Sequence, residues 1–395
     1  MKDRLRTGLL WTVAVGSMAV GLLGAALPRG EAGDGKEHRA EAQRLAAVQR
    51  LAEGDPAEAT RAALDALALD PDDAEAWVLL GDLRSRQERW GEAEAAYERA
   101  TELDGHRFRP WLQLGKVYRA VGRPAAAREA IGKARELDPD HPEAASEAAA
   151  LAEERGDLQH AADLLAQGAR RARGERRANL QARLATLHER RGDGEAAVVA
   201  LRAAAAAAPR DPERWAALAA AWEKEGEGAE AALALERQAA LEQAPALWER
   251  AGDLHAVSGA AEKAFAAYAH ANEREDRPAA WLGIARLRLA AGDAAGAGQA
   301  ADRALAARPT DDRPAIAAAI GTLLVDLGRA ADAARVLHPL VRRSGDPMLV
   351  DTLARAQASA GQERKALGTC RQLRLQASGT APGLFCQGLL GRQTG

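Results

Sequence analysis

Apolar residues in this chain recur at helical rather than strand spacing, and the pattern restarts at a fixed interval. In "PWLQLGKVYRAVGRPAAAREAIGKARELDP", residues 110–139, Trp111, Leu114, Gly115 and Tyr118 share one helical face, and Ala127, Ile131 and Ala134 share another. Gly122, between the two sets, predicts the left-handed or open backbone of a tight turn, and Pro139 stops the second helix. Each unit is therefore a helical hairpin. With Trp111 numbered as position 4, the frame restarts at residues 40, 74, 108, 142, 178, 212, 245, 278, 314 and 347, giving ten predicted units over 40–380. Trp77, Trp111, Trp215, Trp248 and Trp281 fall at position 4. Glycine falls at position 15 in every unit but the second, where Glu88 stands.

A lone hairpin cannot bury its apolar face, whereas stacked neighbours share a continuous core, so the predicted fold class is an all-α solenoid. The Trp, Leu-Gly, Tyr, Ala, bulky, Ala, Pro series resembles the tetratricopeptide repeat (TPR). That resemblance implies a right-handed superhelix whose concave wall is lined by the first helix of each hairpin. It also implies a protein-binding role. Two specialisations of the family do not fit. A carboxylate clamp needs Lys at position 5 and Asn at position 9, where Arg44 is followed by Val48 and Leu112 by Lys116. A rubredoxin-like metal site needs two Cys-x-x-Cys pairs, and the chain has only Cys370 and Cys386.

Ahead of the repeats, "GLLWTVAVGSMAVGLLGAAL", residues 8–27, carries no charge and is long enough, at about 30 Å as a helix, to cross a bilayer. Lys2, Arg4 and Arg6 precede it, which places the short 1–7 segment in the cytoplasm and everything after Leu27 outside it. A retained signal-anchor is the favoured reading and a cleaved signal peptide the alternative. Residues 28–39, rich in Gly and charge, read as a flexible linker, and 381–395 as a capping tail.

Composition narrows the function. The net charge of −3, with acids and bases interleaved, offers a polyanion little attraction and argues against nucleic acid. Arginine outnumbers lysine 47 to 7, a bias associated with GC-rich bacterial genes. No Walker loop, His-Glu-x-x-His or Gly-x-Ser-x-Gly occurs, so no catalytic residue, cofactor or metal is expected. His188 and His255, both at position 11, read as aromatic residues between helices rather than metal ligands.

The predicted binding face follows from helical geometry. If positions 4, 7, 8 and 11 face the partner helix, then 2, 5, 9, 12 and 13 face the groove. The candidate protein-binding residues are Asp82, Arg86, Arg109, Gln113, Lys116 and Arg119, a small cationic patch that includes Leu112. Glu143, Glu147, Glu153 and Glu154 answer it from the fourth unit. Toward the C-terminus Leu282, Gly283, Leu289, Ala315, Ala318 and Val325 predict an apolar groove. Cys370 and Cys386, both downstream of the export signal, are a candidate disulfide. The resulting expectation is a non-enzymatic scaffold in the bacterial inner membrane. Its repeats would lie in the periplasm and organise an envelope complex for secretion, polymer export or assembly. A released structural subunit that self-assembles through its repeats is the alternative.

Overall fold

The computed structural model describes residues 34–307, 314–344, 346–376 and 384–391. The proposed membrane segment at 8–27 and its cytoplasmic flank lie outside these residues. Among the described residues every regular element is a helix, and no helix is long and apolar enough to cross a membrane.

The chain divides into two compact units, one ending at Leu151 and the other beginning at Ala152. The first holds α1 (Asp34–Ala52), α2 (Pro56–Leu69), α3 (Ala74–Arg86), α4 (Trp90–Leu103), α5 (Phe108–Ala120) and α6 (Pro124–Leu137). These form the hairpins α1–α2, α3–α4 and α5–α6. The helix α7 (Pro142–Glu154) carries the chain into the second unit. There follow α8 (Leu158–Arg171), α9 (Gly174–Arg190), α10 (Gly194–Ala207), α11 (Pro212–Lys224), α12 (Gly228–Glu242), α13 (Pro245–Val257) and α14 (Ala261–Ala271). The second unit continues with α15 (Pro278–Ala290), α16 (Ala294–Ala306), α17 (Pro314–Asp326), α18 (Ala330–Ser344), α19 (Pro347–Ser359), α20 (Glu363–Gln376) and α21 (Leu384–Gly391). Successive hairpins stack so that a first helix touches both its own partner and the next first helix, as α13 touches α14 and α15.

Local chemistry explains the boundaries. Aspartate side chains cap several helices: Asp73 accepts the amides of Glu75 and Ala76, and Asp211 that of Glu213. Each such cap contributes about 1 kcal/mol. At position 4 the indole N–H of Trp77, Trp111 and Trp215 donates to the carbonyl six residues earlier, at 2.8, 2.9 and 3.0 Å. The tryptophan thereby ties each first helix to the loop leading into it. Every position-15 glycine has a positive φ, and Glu88 is forced into the same left-handed backbone at φ 57°.

Packing is set by small residues. Position 20 is alanine throughout, from Ala59 to Ala366, and is fully buried. Position 8 meets position 24 of its own hairpin: Gly81 and Gly252 face Tyr97 and Tyr268, Gly115 faces Ile131 and Gly321 faces Leu337, while Ala149, Ala185 and Ala219 occur with Leu165, Leu201 and Leu235. A side chain on Gly81 or Gly252 would run into the tyrosine ring, so glycine there is the condition for the tyrosine.

The structure departs from the sequence pattern in three places. The helix α1 begins at Asp34, inside the stretch read as linker, because 34–39 contains the helix formers Lys36, Glu37 and Arg39, and Arg39 donates to the Gly35 carbonyl. The helix of the fifth unit begins at Gly174, before the frame start at 178. Position 5 is not uniformly a groove position: Leu112, Leu282 and Ala318 are buried there, and Gly283 at position 6 lies against Tyr268. The stacking helix that covers these residues is invisible to a periodicity argument on one helix.

Candidate functional site: the groove of the first three hairpins

Charged residues on the first helices are joined from one repeat to the next. Position 9 of one repeat meets position 2 of the next: Asp82 pairs with Arg109, and Lys116 with Glu143. Position 12 meets position 6 in the same way. Arg119 donates to Glu147 at 3.0 Å, Arg183 to Glu153 at 2.7 Å, and Arg250 pairs with Glu223. Each contact spans 27 to 30 residues, the length of a repeat less the offset. The predicted cationic patch is thus largely neutralised by its own neighbours. Exposed pairs of this kind contribute little stability singly, a few tenths of a kcal/mol to about 1, but they set which residues remain available.

The available residues lie on α1, α3 and α5. A groove of about 400 Å³ is lined by Val48 and Leu51 from α1, Val78 and Leu79 from α3, and Pro110 from α5. Arg44, Arg86, Arg107, Arg109, Glu75 and Asp82 complete its wall. Val48 is about half exposed, at 51%, despite being apolar. Four arginines face two carboxylates, leaving the wall a formal +2. Three of those arginines are already engaged. Arg44 pairs with Asp73 and Glu75, Arg107 with Glu75 and Asp104, and Arg109 with Asp82. Its hydrogen bond from Arg107 holds the Asp104 carboxyl below the usual range. Arg86 is exposed and has no hydrogen-bond or ion-pair partner among the described residues.

Behind the groove, Asp82 is fixed by a second contact. Tyr97 donates its hydroxyl to Asp82 at 2.7 Å, with the Ser85 hydroxyl at 3.4 Å. Burial, then the neighbouring Asp82 charge, pushes the Tyr97 hydroxyl well above its ordinary value, so it stays a donor. The second unit repeats the device, with Tyr268 donating to Asp253 at 2.6 Å.

Of the sequence-predicted residues, Asp82, Arg86 and Arg109 line this groove, while Gln113, Lys116 and Arg119 do not. Lys116 and Arg119 are engaged by α7, and Gln113 is half-buried on α5. Of the apolar groove expected near the C-terminus, Leu282 and Ala318 are core, Leu289 and Val325 are half-buried, and only Ala315 is exposed. Sequence reasoning missed Val48, Leu51 and Leu79. A signal was present: Val48 and Leu79 sit at positions 9 and 6, where other repeats place the charges of the ladder.

Elsewhere, His255 is fully buried with its Nε2 3.1 Å from Glu236, and His188 lies 3.7 Å from Asp193. Among the described residues no group of three or more acidic, histidine or cysteine side chains is placed to hold a metal. Cys370 and Cys386 are joined as a disulfide, with their Cα atoms 5.3 Å apart.

Residues 50–117 and 108–151 match two family models, each described as Tetratricopeptide repeat. No curated protein matches the chain. Among solved structures, a crystal structure of MamA protein is similar at 21% identity over 44% of this chain and 93% of its own, with a TM-score of 0.37. A tetratricopeptide repeat protein from Parabacteroides merdae ATCC 43184 is similar at 15% identity over 73% and 99%, with a TM-score of 0.40. The structure of YrrB, described as a TPR protein with an unusual peptide-binding site, is similar at 15% over 48% and 96%, with a TM-score of 0.38.

Proposed function

Because the chain contains tetratricopeptide repeats, a protein-interaction fold, we propose that it is a non-enzymatic scaffold that captures a protein segment in the α1–α3–α5 groove. The observation that carries this reading is the pairing of an apolar floor with one unengaged cation, Arg86. A segment with an aliphatic side chain beside a carboxylate complements both: the first covers Val48 and Leu79, and the second pairs with Arg86.

The proposal extends to location. The scaffold is held in the bacterial inner membrane by Gly8–Leu27 and works outside the cytoplasm on an envelope complex. Support comes from the uncharged length of that segment, the basic residues before it, and two cysteines placed to form a bond that persists in oxidising compartments.

A photocrosslinking side chain at Val48 of the full chain, in native membranes, tests the groove. The expected adduct maps to a segment with a carboxylate next to an aliphatic residue, and Arg86→Glu abolishes it. No adduct, or one indifferent to Arg86→Glu, would refute the reading. Topology has its own check. Alkaline phosphatase fused after Gly395 should be active, and activity from a cytoplasm-only reporter instead would overturn the envelope assignment.

A further inference from the structure

Within the stack, position 24 of each hairpin points toward the next repeat and is sheltered by it. Tyr97 packs with Leu114 and Val117 of the following first helix, Ile131 with Leu151, and Leu337 with Leu349 and Leu353. The last hairpin, α19–α20, has Cys370 at this position, and no further hairpin follows among the described residues. Cys370 is nevertheless fully buried.

What buries it is α21. Cys386 bonds to Cys370, and Phe385, Leu389 and Leu390 pack over Ala354 and Ala366. Asp351 of α19 accepts the amides of Phe385 at 3.4 Å and Cys386 at 2.8 Å, tying down the start of α21. An eight-residue helix therefore occupies the place that every other hairpin gives to the first helix of its successor.

We infer that the face beneath α21 is a docking surface for α1 of a second copy of this chain, and that the Cys370–Cys386 bond keeps α21 over it. The occupant follows from two observations. The face carries small residues at positions that elsewhere meet the next first helix: Ala354 at position 8, where Gly321 meets Thr352, and Ala366 at position 20, where Ala127 clusters with Leu151. Among the described first helices, α1 alone has no hairpin before it. It presents Leu45 at position 6, 60% exposed, beside exposed Ala42. In the second unit the position-6 residue Gly283 packs on Tyr268 of the preceding hairpin, the contact Leu45 lacks. At 19 residues α1 also offers more than twice the length of α21. The resulting contact is head-to-tail, each copy bringing one α1 and one face beneath α21 to the assembly.

Opening the face needs two electrons from a dithiol reductant. Its thiolate attacks one cystine sulfur, the S–S bond breaks with its electron pair on the other sulfur, and that sulfur takes a proton. The reductant's second thiol then displaces the remaining protein sulfur and leaves as a cyclic disulfide. Both cysteines are fully buried, so attack waits on transient lifting of α21, and the oxidised state is the resting one.

The test is the protein mass of the full chain in detergent, by light scattering with the detergent contribution subtracted, across a dilution series. Oxidised wild type is expected at single-chain mass throughout. Dithiol treatment, or the variant Cys370→Ala/Cys386→Ala/Leu389→Asp, should raise the mass at least twofold at high concentration. Adding Leu45→Glu should return either to single-chain mass. The inference is overturned if the opened protein stays single with unchanged helicity, or if its association ignores Leu45→Glu. Equal association of oxidised wild type also overturns it. Should the triple variant lose helicity, dithiol-treated wild type with and without Leu45→Glu decides by the same two outcomes.

Discussion

Substituting Gly252→Ala isolates the contact between positions 8 and 24. The Tyr268 ring packs against two glycines: a methyl on Gly252 would sit 2.6 Å from its Cε1, and one on Gly283 of α15 would overlap its Cζ and Cε2. The ordinary carbon–carbon separation is about 3.5–4.0 Å, so the ring must move by roughly 1 Å, while Gly283 limits its freedom to do so. Overpacking of this kind costs about 1–3 kcal/mol, and the confined ring argues for the upper end. Replacing a mid-helix glycine with alanine returns about 1 kcal/mol in helix propensity, leaving a net loss near 2 kcal/mol. Tyr268→Leu alone loses the ring and its hydrogen bond to Asp253. The pair Gly252→Ala/Tyr268→Leu, however, recreates the Ala–Leu arrangement of Ala185 and Leu201. It should therefore cost about 3 kcal/mol less than the sum of the singles, because the pair loses the clash and keeps the helix-propensity gain. Native-state hydrogen exchange over α13–α15 reads this locally, without assuming that a long repeat array unfolds in one step. An opening free energy changed by less than about 0.5 kcal/mol in the single variant, or additivity in the pair, would refute the clash.

Other expectations concern strain, ionisation and charge. Glu88→Gly relieves a side chain held at φ 57° and should stabilise the second hairpin by about 1 kcal/mol, measured as a raised denaturation midpoint of the region; no gain would mean the left-handed turn is unstrained. All three tyrosines are raised, each chiefly by burial and then by a carboxylate: Asp82 for Tyr97, Glu98 for Tyr118 and Asp253 for Tyr268. The folded state therefore favours the neutral phenol, its advantage complete below the ordinary value of about 10 and lost as pH climbs above it. Ultraviolet titration should show no tyrosinate near pH 10 until the chain unfolds, and three independent early ionisations would contradict it. Lys116→Glu should weaken the α5–α7 contact by up to about 1 kcal/mol, and adding Glu143→Lys should recover most of that loss; failure of the swap to recover it would show that the pair contributes through packing alone.

The hairpins were legible because their determinants are local. Trp111, Gly122 and Pro139 act within a few residues of their own position, through a loop carbonyl, a turn and a helix end. The groove was only half legible, because availability is a relation between repeats. Nothing within α5 shows that Lys116 and Arg119 are engaged by Glu143 and Glu147, or that Leu112 lies beneath a neighbouring helix. Arg86 looks like Arg109 in sequence and differs from it only in having no carboxylate opposite. Conversely, the exposed Val48 stands at the groove-facing position 9 but entered the reading only as a departure from the carboxylate clamp.

The alternating signs of the inter-repeat ladder bear on how such a gene can change. Arrays of near-identical segments lengthen and shorten by unequal recombination, which assumes that any two copies fit together. Here Asp82 expects a base at position 2 of its successor and finds Arg109, whereas Lys116 expects an acid and finds Glu143. Excising residues 108–141 would bring Asp82 against Glu143, two carboxylates where the backbone geometry is otherwise unaltered. These two neighbouring junctions thus make opposite demands, so the second, third and fourth segments cannot be shuffled without setting like charges together.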